Sequence, residues 1–73
     1  MSNSTYNGYA DWTTWNVCLW IGNDEGLYNL ARNCQDYGHF LQMVWSFDFK
    51  ETPDGAKWRD ADRADMAEFW AEL

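Results

Sequence analysis

The chain has 73 residues, six of them tryptophan, and a formal net charge of −7 at pH 7. A chain of this length has room for one hydrophobic core, and its 47% of hydrophobic residues is more than disordered proteins carry. Twelve aspartates and glutamates face only five lysines and arginines. This balance excludes a protein that binds nucleic acid by neutralising many phosphates, and it predicts attraction to basic surfaces instead.

The apolar segments are too short for a membrane protein. The longest uninterrupted one, Val17 to Ile21, has five residues, whereas a membrane span needs about 20. The first nine residues contain no apolar segment of the kind found in secretory signals, so we expect a cytosolic protein without a membrane partner. In that compartment Cys18 and Cys34 are expected to be buried thiols. A disulfide between them requires Cα atoms within about 7 Å, which the sequence does not decide.

The N-terminal part predicts an extended arm followed by a helix. Residues 1–10 lack a helical period, and Tyr6 and Tyr9 could hold this arm against the body. Asp11 is a suitable N-cap for a first helix over residues 12–21, whose apolar positions cover a broad face. We expect this helix to be packed on more than one side.

Two further helices are predicted before residue 47. Gly22 is placed to end the first helix with a positive φ, and Asn23 to cap a second helix over residues 24–34. Asp36 can cap a third helix over residues 37–46. A glycine inside the second helix, Gly26, predicts the close approach of another backbone.

The period changes after residue 46. Phe47 and Phe49 alternate with polar residues, as in a short strand, and Thr52–Gly55 has the composition of a turn. Residues 56–58 could return as a second strand. Both a short β-hairpin near 47–58 and an irregular loop are compatible with this segment.

Asp60 is the predicted cap of a last helix over residues 61–72, and the opposite side of this helix is rich in alanine. Its apolar residues recur at i, i+3, i+4 and i+7, namely Met66, Phe69, Trp70 and Leu73. The sequence thus predicts a mainly α fold, a single domain over residues 1–73 built as a small bundle of about four short helices.

The negative charge is concentrated in two parts of the chain. Residues 60–73 hold five acids and one base, a net charge of −4, and residues 11–36 hold four acids and one base, a net charge of −3. Residues 48–59 are neutral. Acidic helix faces are usually only solvated, but few bases lie near these acids in sequence. The candidate partner-binding residues are Asp62, Asp65, Glu68, Glu72, Asp24, Glu25 and Asp36.

No motif indicates a chemical reaction. His39 is the only histidine and has no nucleophile motif around it, and with Cys18 and Cys34 it makes fewer than the four ligands of a structural zinc site. Glycine-rich phosphate-binding motifs do not occur in the sequence. We therefore predict no catalytic residue, no metal and no cofactor. A small metal-dependent enzyme is the alternative of a different class, and titration with Mg²⁺ and Zn²⁺ would test it.

Three segments of the chain carry a specific resemblance. Tyr6–Tyr9, Thr14–Tyr28 and Thr52–Trp58 follow the pattern YNG, then TWNV-x-LWI-x-NDEGLY, then TPDG-x-KW. The chain resembles a family of small proteins of phages and mobile elements that share this pattern. In origin, size and acidity it is also similar to the small anti-CRISPR proteins that act on type I systems, type I-C among them.

The second resemblance implies a function in the cytoplasm of a bacterial host. Several such inhibitors bind the DNA-recognition subunits of the Cascade surveillance complex, some by mimicking the charge of DNA. The resemblance thus implies a basic nucleic-acid-binding protein, a type I Cascade subunit, as partner. An inhibitor that docks through exposed aromatic residues, or an anti-restriction protein, is the alternative. Mutual repulsion at −7 opposes self-association, so we expect a monomer.

Overall fold

A computed structural model describes residues 6–73 and consists mostly of four α-helices. They are α1 (Trp12–Asn23), α2 (Glu25–Arg32), α3 (Tyr37–Ser46) and α4 (Arg63–Ala71), and a 3-10 helix, Trp58–Asp60, precedes α4. The predicted small, mainly α bundle of about four helices is confirmed. Within this part of the chain, no helix combines the length and the hydropathy that crossing a bilayer requires.

Every α-helix begins at an aspartate whose carboxylate accepts a hydrogen bond from a backbone N–H of the first turn. These N-caps are Asp11, Asp24, Asp36 and Asp62. The sequence predicted the first and the third correctly. It placed the second cap one residue too early, at Asn23, and the fourth two residues too early, at Asp60.

The late start of α4 has a tertiary cause. The hydroxyl of buried Thr14 donates to the carboxylate of Asp11 at 2.7 Å and accepts the backbone N–H of Asp62 at 2.8 Å. This bond holds Asp62 in place as the cap, and residues 58–60 form the 3-10 helix instead of joining α4. The start of the last helix is thus set by a residue 48 positions away.

The expectations for Gly22 and Gly26 are wrong. Helix α1 continues through Gly22 because Asp24, with extended backbone, both ends α1 and caps α2, so no residue of positive φ is needed between them. A Cβ at Gly26 would meet the carboxylate of Asp24 at 3.4 Å and no foreign backbone.

The alternation of Phe47 and Phe49 marks a helix end and not a strand. The Phe49 N–H donates to the Val44 carbonyl at 2.9 Å, and the Asp48 N–H donates to the Trp45 carbonyl at 3.0 Å. This is the Schellman pattern, with Asp48 at a φ of 60° where glycine is usual. It turns Phe49 inward against Trp58 and leaves Phe47 60% exposed.

The predicted turn over Thr52–Gly55 is present, closed by a hydrogen bond from the Gly55 N–H to the Thr52 carbonyl. The segments on either side of it form a single bridge pair, Glu51 with Lys57. Since the chain enters the 3-10 helix at Trp58, the second predicted strand does not form. The Thr52 N–H donates to the Ala56 carbonyl at 2.8 Å and the Trp58 N–H to the Lys50 carbonyl at 3.2 Å, on either side of this bridge. The segment is therefore a minimal hairpin of one antiparallel bridge, without regular strands.

The core is centred on stacked and edge-on aromatic rings from α3, α4 and the 3-10 helix. Phe40 lies 5.8 Å from the Tyr37 ring and 5.5 Å from both Trp58 and Trp70. The predicted apolar stripe of α4 faces this core, with Met66 fully buried. The Tyr37 hydroxyl donates to the Trp58 carbonyl, which ties α3 to the 3-10 helix.

Residues 6–9 form a tight turn and not the predicted extended arm; residues 1–5 of that arm lie outside the described part. Tyr6 and Tyr9 exchange two backbone hydrogen bonds, with φ at 51° for Asn7 and 90° for Gly8. The Tyr6 ring lies 5.0 Å from Trp15 on α1, and Tyr9 packs against the core. The expectation that these tyrosines hold the segment to the body is correct.

Candidate functional site

Three of the predicted acids lie together along one side of α4 and its C-cap residue, Glu72. Asp65, Glu68 and Glu72 are three, four and seven residues apart, a spacing that places side chains on the same side of a helix. They line a small cleft of about 150 Å³ together with Phe69 and, from the N-terminal turn, Gly8 and Tyr9. We call this the acidic cleft.

The N-terminal turn forms the second wall of the acidic cleft because Asp65 holds it there. The Ala10 N–H donates to Oδ2 of Asp65 at 2.7 Å, across 55 residues of sequence. Burial raises the pKa of Tyr9, and Cys18, Asp65 and Glu72 act in the same direction. Asp65 is half-buried and, through its bond to the Ala10 N–H, has a structural role, whereas Glu68 and Glu72 are exposed.

Within the described residues, no ion pair neutralises the acids of α4. Within residues 6–73 the ion pairs are Lys50 with Asp48 at 3.5 Å and Lys57 with Glu51 at 3.2 Å, both exposed and both in the neutral middle of the sequence. The one base of α4, Arg63, lies 5.9 Å from the Tyr37 ring. Among the acids of residues 60–73, Glu68 and Glu72 are thus exposed carboxylates with no ion pair within the described part of the chain.

The other predicted acids do not join the acidic cleft. Asp62, Asp24 and Asp36 are N-caps, and their carboxylates accept backbone N–H groups. Asp36 lines a different cavity, next to Arg63. Glu25 is exposed in the first turn of α2, where the helix dipole favours an anion. The carboxylates of these four residues stabilise the starts of helices. Glu68 and Glu72 lie near the C-terminal end of α4, where a negative charge does not stabilise the helix.

Sequence reasoning missed two features of the surface. One is that the N-terminal turn forms a wall of the acidic cleft. The Asn7-Gly8 dipeptide could have indicated the turn itself, since this pair favours turns with two positive φ angles. The other is the exposure of Trp45, 47%, and Phe47, 60%. The 3–4 spacing of Phe40, Leu41, Val44 and Trp45 predicts an apolar stripe on α3, so it gave no sign that Trp45 is exposed.

The side chains that could perform chemistry are buried or dispersed. Burial raises the pKa of the Cys18 thiol to about 12 and raises that of Cys34, and both are free thiols. His39 accepts the Gln35 N–H through Nδ1 at 3.3 Å. Within the described residues, no three His, Cys, Asp or Glu side chains lie close enough together to hold a metal ion.

Two of the three segments that carry the sequence pattern meet in a network of polar groups that extends from buried Asn16 and Thr52 to exposed Asp54. The Asn16 amide donates to Asp54 at 2.9 Å and accepts the Thr52 hydroxyl at 2.6 Å, and the Trp20 indole donates to Asp54 at 3.0 Å. These hydrogen bonds lower the pKa of Asp54, that from Asn16 most strongly. The TWNV and LWI residues thus hold the TPDG turn against α1.

Of the comparisons with known proteins, the one with family models gives a match. No curated protein and no solved structure matches the chain. The model of a family of unknown function, DUF7249, matches residues 2–73. Because this match spans nearly the whole chain, from the N-terminal turn to the acidic helix, the protein belongs to the DUF7249 family.

Proposed function

We propose that this protein inhibits a nucleic-acid-handling complex by presenting carboxylates to a site that normally holds DNA phosphates. The target we favour is the DNA-recognition surface of a type I Cascade complex, type I-C among the subtypes, in the cytoplasm of a bacterial host. The resemblance to small anti-CRISPR proteins supports this choice. The observation that carries the proposal is a pair of exposed carboxylates, Glu68 on α4 and Glu72 at its C-cap, with which no cation of the described residues forms an ion pair.

The spacing of the acids supports phosphate mimicry in part. At a rise of about 1.5 Å per residue, Asp65, Glu68 and Glu72 are separated along the axis of α4 by about 4.5 and 6 Å. Phosphates of one DNA strand are separated by about 3.4 Å of helix axis. The row of carboxylates is sparser than a DNA strand, so we expect it to engage two or three arginines or lysines and not a long cationic groove.

The acids are carried on a well-anchored element. Helix α4 is fixed by buried Met66, by the bond between Thr14 and Asp62, and by the bond between Asp65 and Ala10. A charged group that is already fixed in position before the partner binds loses less conformational entropy on binding than one on a mobile loop. Charge-assisted, bidentate pairs with arginine are the contacts that such carboxylates make best.

The test is charge reversal at Glu68 and Glu72, measured on purified type I-C Cascade. Asp65 is left intact because its carboxylate holds the Ala10 N–H. The wild-type protein should prevent Cascade from binding labelled target DNA, and each of Glu68→Lys and Glu72→Lys should weaken this inhibition by about tenfold, the effect of losing about 1.4 kcal/mol. The matched control is Glu51→Lys, which makes the same charge change in the neutral middle of the sequence.

The outcomes separate surface charge from total charge. Normal inhibition by Glu51→Lys with loss in the α4 variants supports the acidic cleft as the contact surface. Equal loss in all three variants would mean that only net charge matters. Unchanged inhibition by the combined Glu68→Lys and Glu72→Lys variant rules the proposal out.

A second candidate is an inhibitor that docks through exposed aromatic residues without imitating DNA. Trp45 and Phe47, at the end of α3, are the observation in its favour, since tryptophan is enriched at binding hot spots. Salt distinguishes the two candidates. Binding through carboxylates should weaken steeply as salt rises, whereas binding through apolar rings should change little.

A further inference from the structure

The surface around Trp45 differs in character from the rest of this acidic protein. An open groove of about 400 Å³ is lined by Leu41, Gln42, Trp45, Ser46 and Arg59. A second one of about 420 Å³ shares Trp45 and Arg59 and is completed by Lys50, Lys57 and Asp60. The two are adjacent because they share Trp45 and Arg59, and we call them together the Trp45 groove.

Three of the five basic residues of the chain line the Trp45 groove. Lys50 lies over the Trp45 ring, with Nζ 4.7 Å from the ring centroid. Lys50 and Lys57 are each paired with an exposed acid, and such surface pairs are weak and exchange partners readily. Arg59 has no carboxylate partner in the described part of the chain. The Arg59 guanidinium can therefore donate two parallel hydrogen bonds to a ligand carboxylate, beside the apolar surface of Leu41 and Trp45.

We propose that the Trp45 groove binds an acidic segment of a partner protein in which carboxylates flank an apolar side chain. The apolar side chain would pack on Trp45 and Leu41, one carboxylate would pair with Arg59, and a second would pair with Lys50. Charge complementarity supports this occupant. Lys50 and Lys57 are each held by an exposed acid, whereas Arg59 has no ion pair within residues 6–73 and stands beside the exposed Trp45 ring.

The charge of the whole molecule favours a peptide over nucleic acid. A strand of nucleic acid brings a phosphate with every nucleotide, and the net charge of −7 repels those that extend beyond the groove. A protein segment can present two carboxylates without further negative charge. A second copy of this chain is disfavoured for the same reason, since each copy carries −7. The proposal goes beyond the inhibitor function and does not depend on the acidic cleft.

The test uses defined probes and the full chain. The first probe is a short fluorescent peptide in which glutamates flank a central phenylalanine, and the second is the same peptide with glutamine in place of each glutamate. The third is a short oligothymidylate. Binding is followed by fluorescence anisotropy and by the indole N–H resonance of Trp45 in a nitrogen-labelled sample.

We expect the glutamate peptide to bind and to shift the Trp45 resonance. Arg59→Ala and Trp45→Ala should each weaken its binding by about tenfold, as the loss of a hydrogen bond to a charged group or of an aromatic anchor predicts. The matched controls are Arg32→Ala, which removes an exposed base on α2, and Trp12→Ala, which removes an exposed tryptophan on α1. Both should bind the peptide as the wild type does.

Several outcomes would overturn the proposal. They are equal binding of the glutamine peptide, tighter binding of oligothymidylate, an unmoved Trp45 resonance, and a Trp45 resonance that shifts with protein concentration alone. The combined Glu68→Lys and Glu72→Lys variant should retain peptide binding. Its retention would show that the Trp45 groove and the acidic cleft act independently, so failure of one proposal leaves the other standing.

Discussion

The turn packed on α1 and the acidic side of α4 both contain exposed carboxylates, but the surroundings of these carboxylates differ. Asp54, in the turn, accepts hydrogen bonds from Asn16 and from the Trp20 indole. Glu68 and Glu72, on α4, have no cation beside them within residues 6–73. The first region lies inside the TWNV, LWI and TPDG segments and the second lies outside them. The most recognisable residues of the sequence therefore maintain the fold, and the charge available to a partner lies elsewhere.

The largest effect should come from the ring that joins the turn segment to the core. Trp58 is buried against Phe40 and Phe49, so Trp58→Ala should lower the free energy of unfolding by about 3–5 kcal/mol. Chemical denaturation measures this. The control is Trp58→Phe, which should cost much less, because the Trp58 indole N–H is buried with no acceptor among the described residues. An equal loss in both variants would contradict this expectation.

The buried amide between α1 and the turn should come next. Asn16→Ala leaves Asp54 with one donor fewer and the buried Thr52 hydroxyl without its acceptor, so we expect a loss of about 1–3 kcal/mol in the free energy of unfolding. Asn29→Ala, at an exposed position of α2, is the control and should change stability by less than about 0.5 kcal/mol. Similar losses in the two variants would mean that the network does not hold the turn.

The charge of Asp54 should make the same contact sensitive to acid. Its hydrogen bonds hold the pKa of Asp54 below the ordinary value, so the charged form favours the folded state. The stabilisation is complete above the pKa of an unfolded aspartate, about 3.9, and is lost as the pH falls through the lower folded value. Thermal unfolding of Asp54→Asn should therefore depend less on pH in acid than that of the wild type. Parallel pH profiles would contradict this assignment.

The smallest effect is expected on α4, where charge reversal should not harm the fold. Glu72→Lys removes repulsion from Glu68 and places a cation at the C-terminal end of the helix, so the free energy of unfolding should rise by about 0.2–0.5 kcal/mol. Glu25→Lys, in the first turn of α2, should lower it by a similar amount. If Glu72→Lys instead destabilises the protein, Glu72 has a structural role and the contrast between the two regions fails.

Local signals in the sequence predicted much of the architecture. Asp11 and Asp36 were recognised as caps because a cap hydrogen bond reaches only two or three residues along the chain. The apolar stripe of α4 was recognised because its 3–4 spacing already defines a buried face. The turn over residues 52–55 followed from its proline and glycine.

The errors occur where a local signal has two structural meanings. Two aromatic residues separated by one polar residue occur in a strand, and they also occur where a helix ends in a Schellman motif. Phe47 and Phe49 fit both patterns, and only the tertiary structure distinguishes them. Trp45 has the spacing of a core residue, but the end of α3 lies at the surface, so its ring is exposed. The acids of α4 were nominated from charge alone, and the structure separates Asp65, which holds the N-terminal turn, from its two exposed neighbours.

The sequence by itself determined the helices, two of their four N-caps and the net charge, because each depends on residue types within a few positions of one another. Tertiary structure decided where α4 begins, what forms the second wall of the acidic cleft and which tryptophans reach solvent. The bond from Asp62 to Thr14 spans 48 residues, and that from Ala10 to Asp65 spans 55. Contacts over such distances exist only after the helices have packed, and no local pattern encodes them.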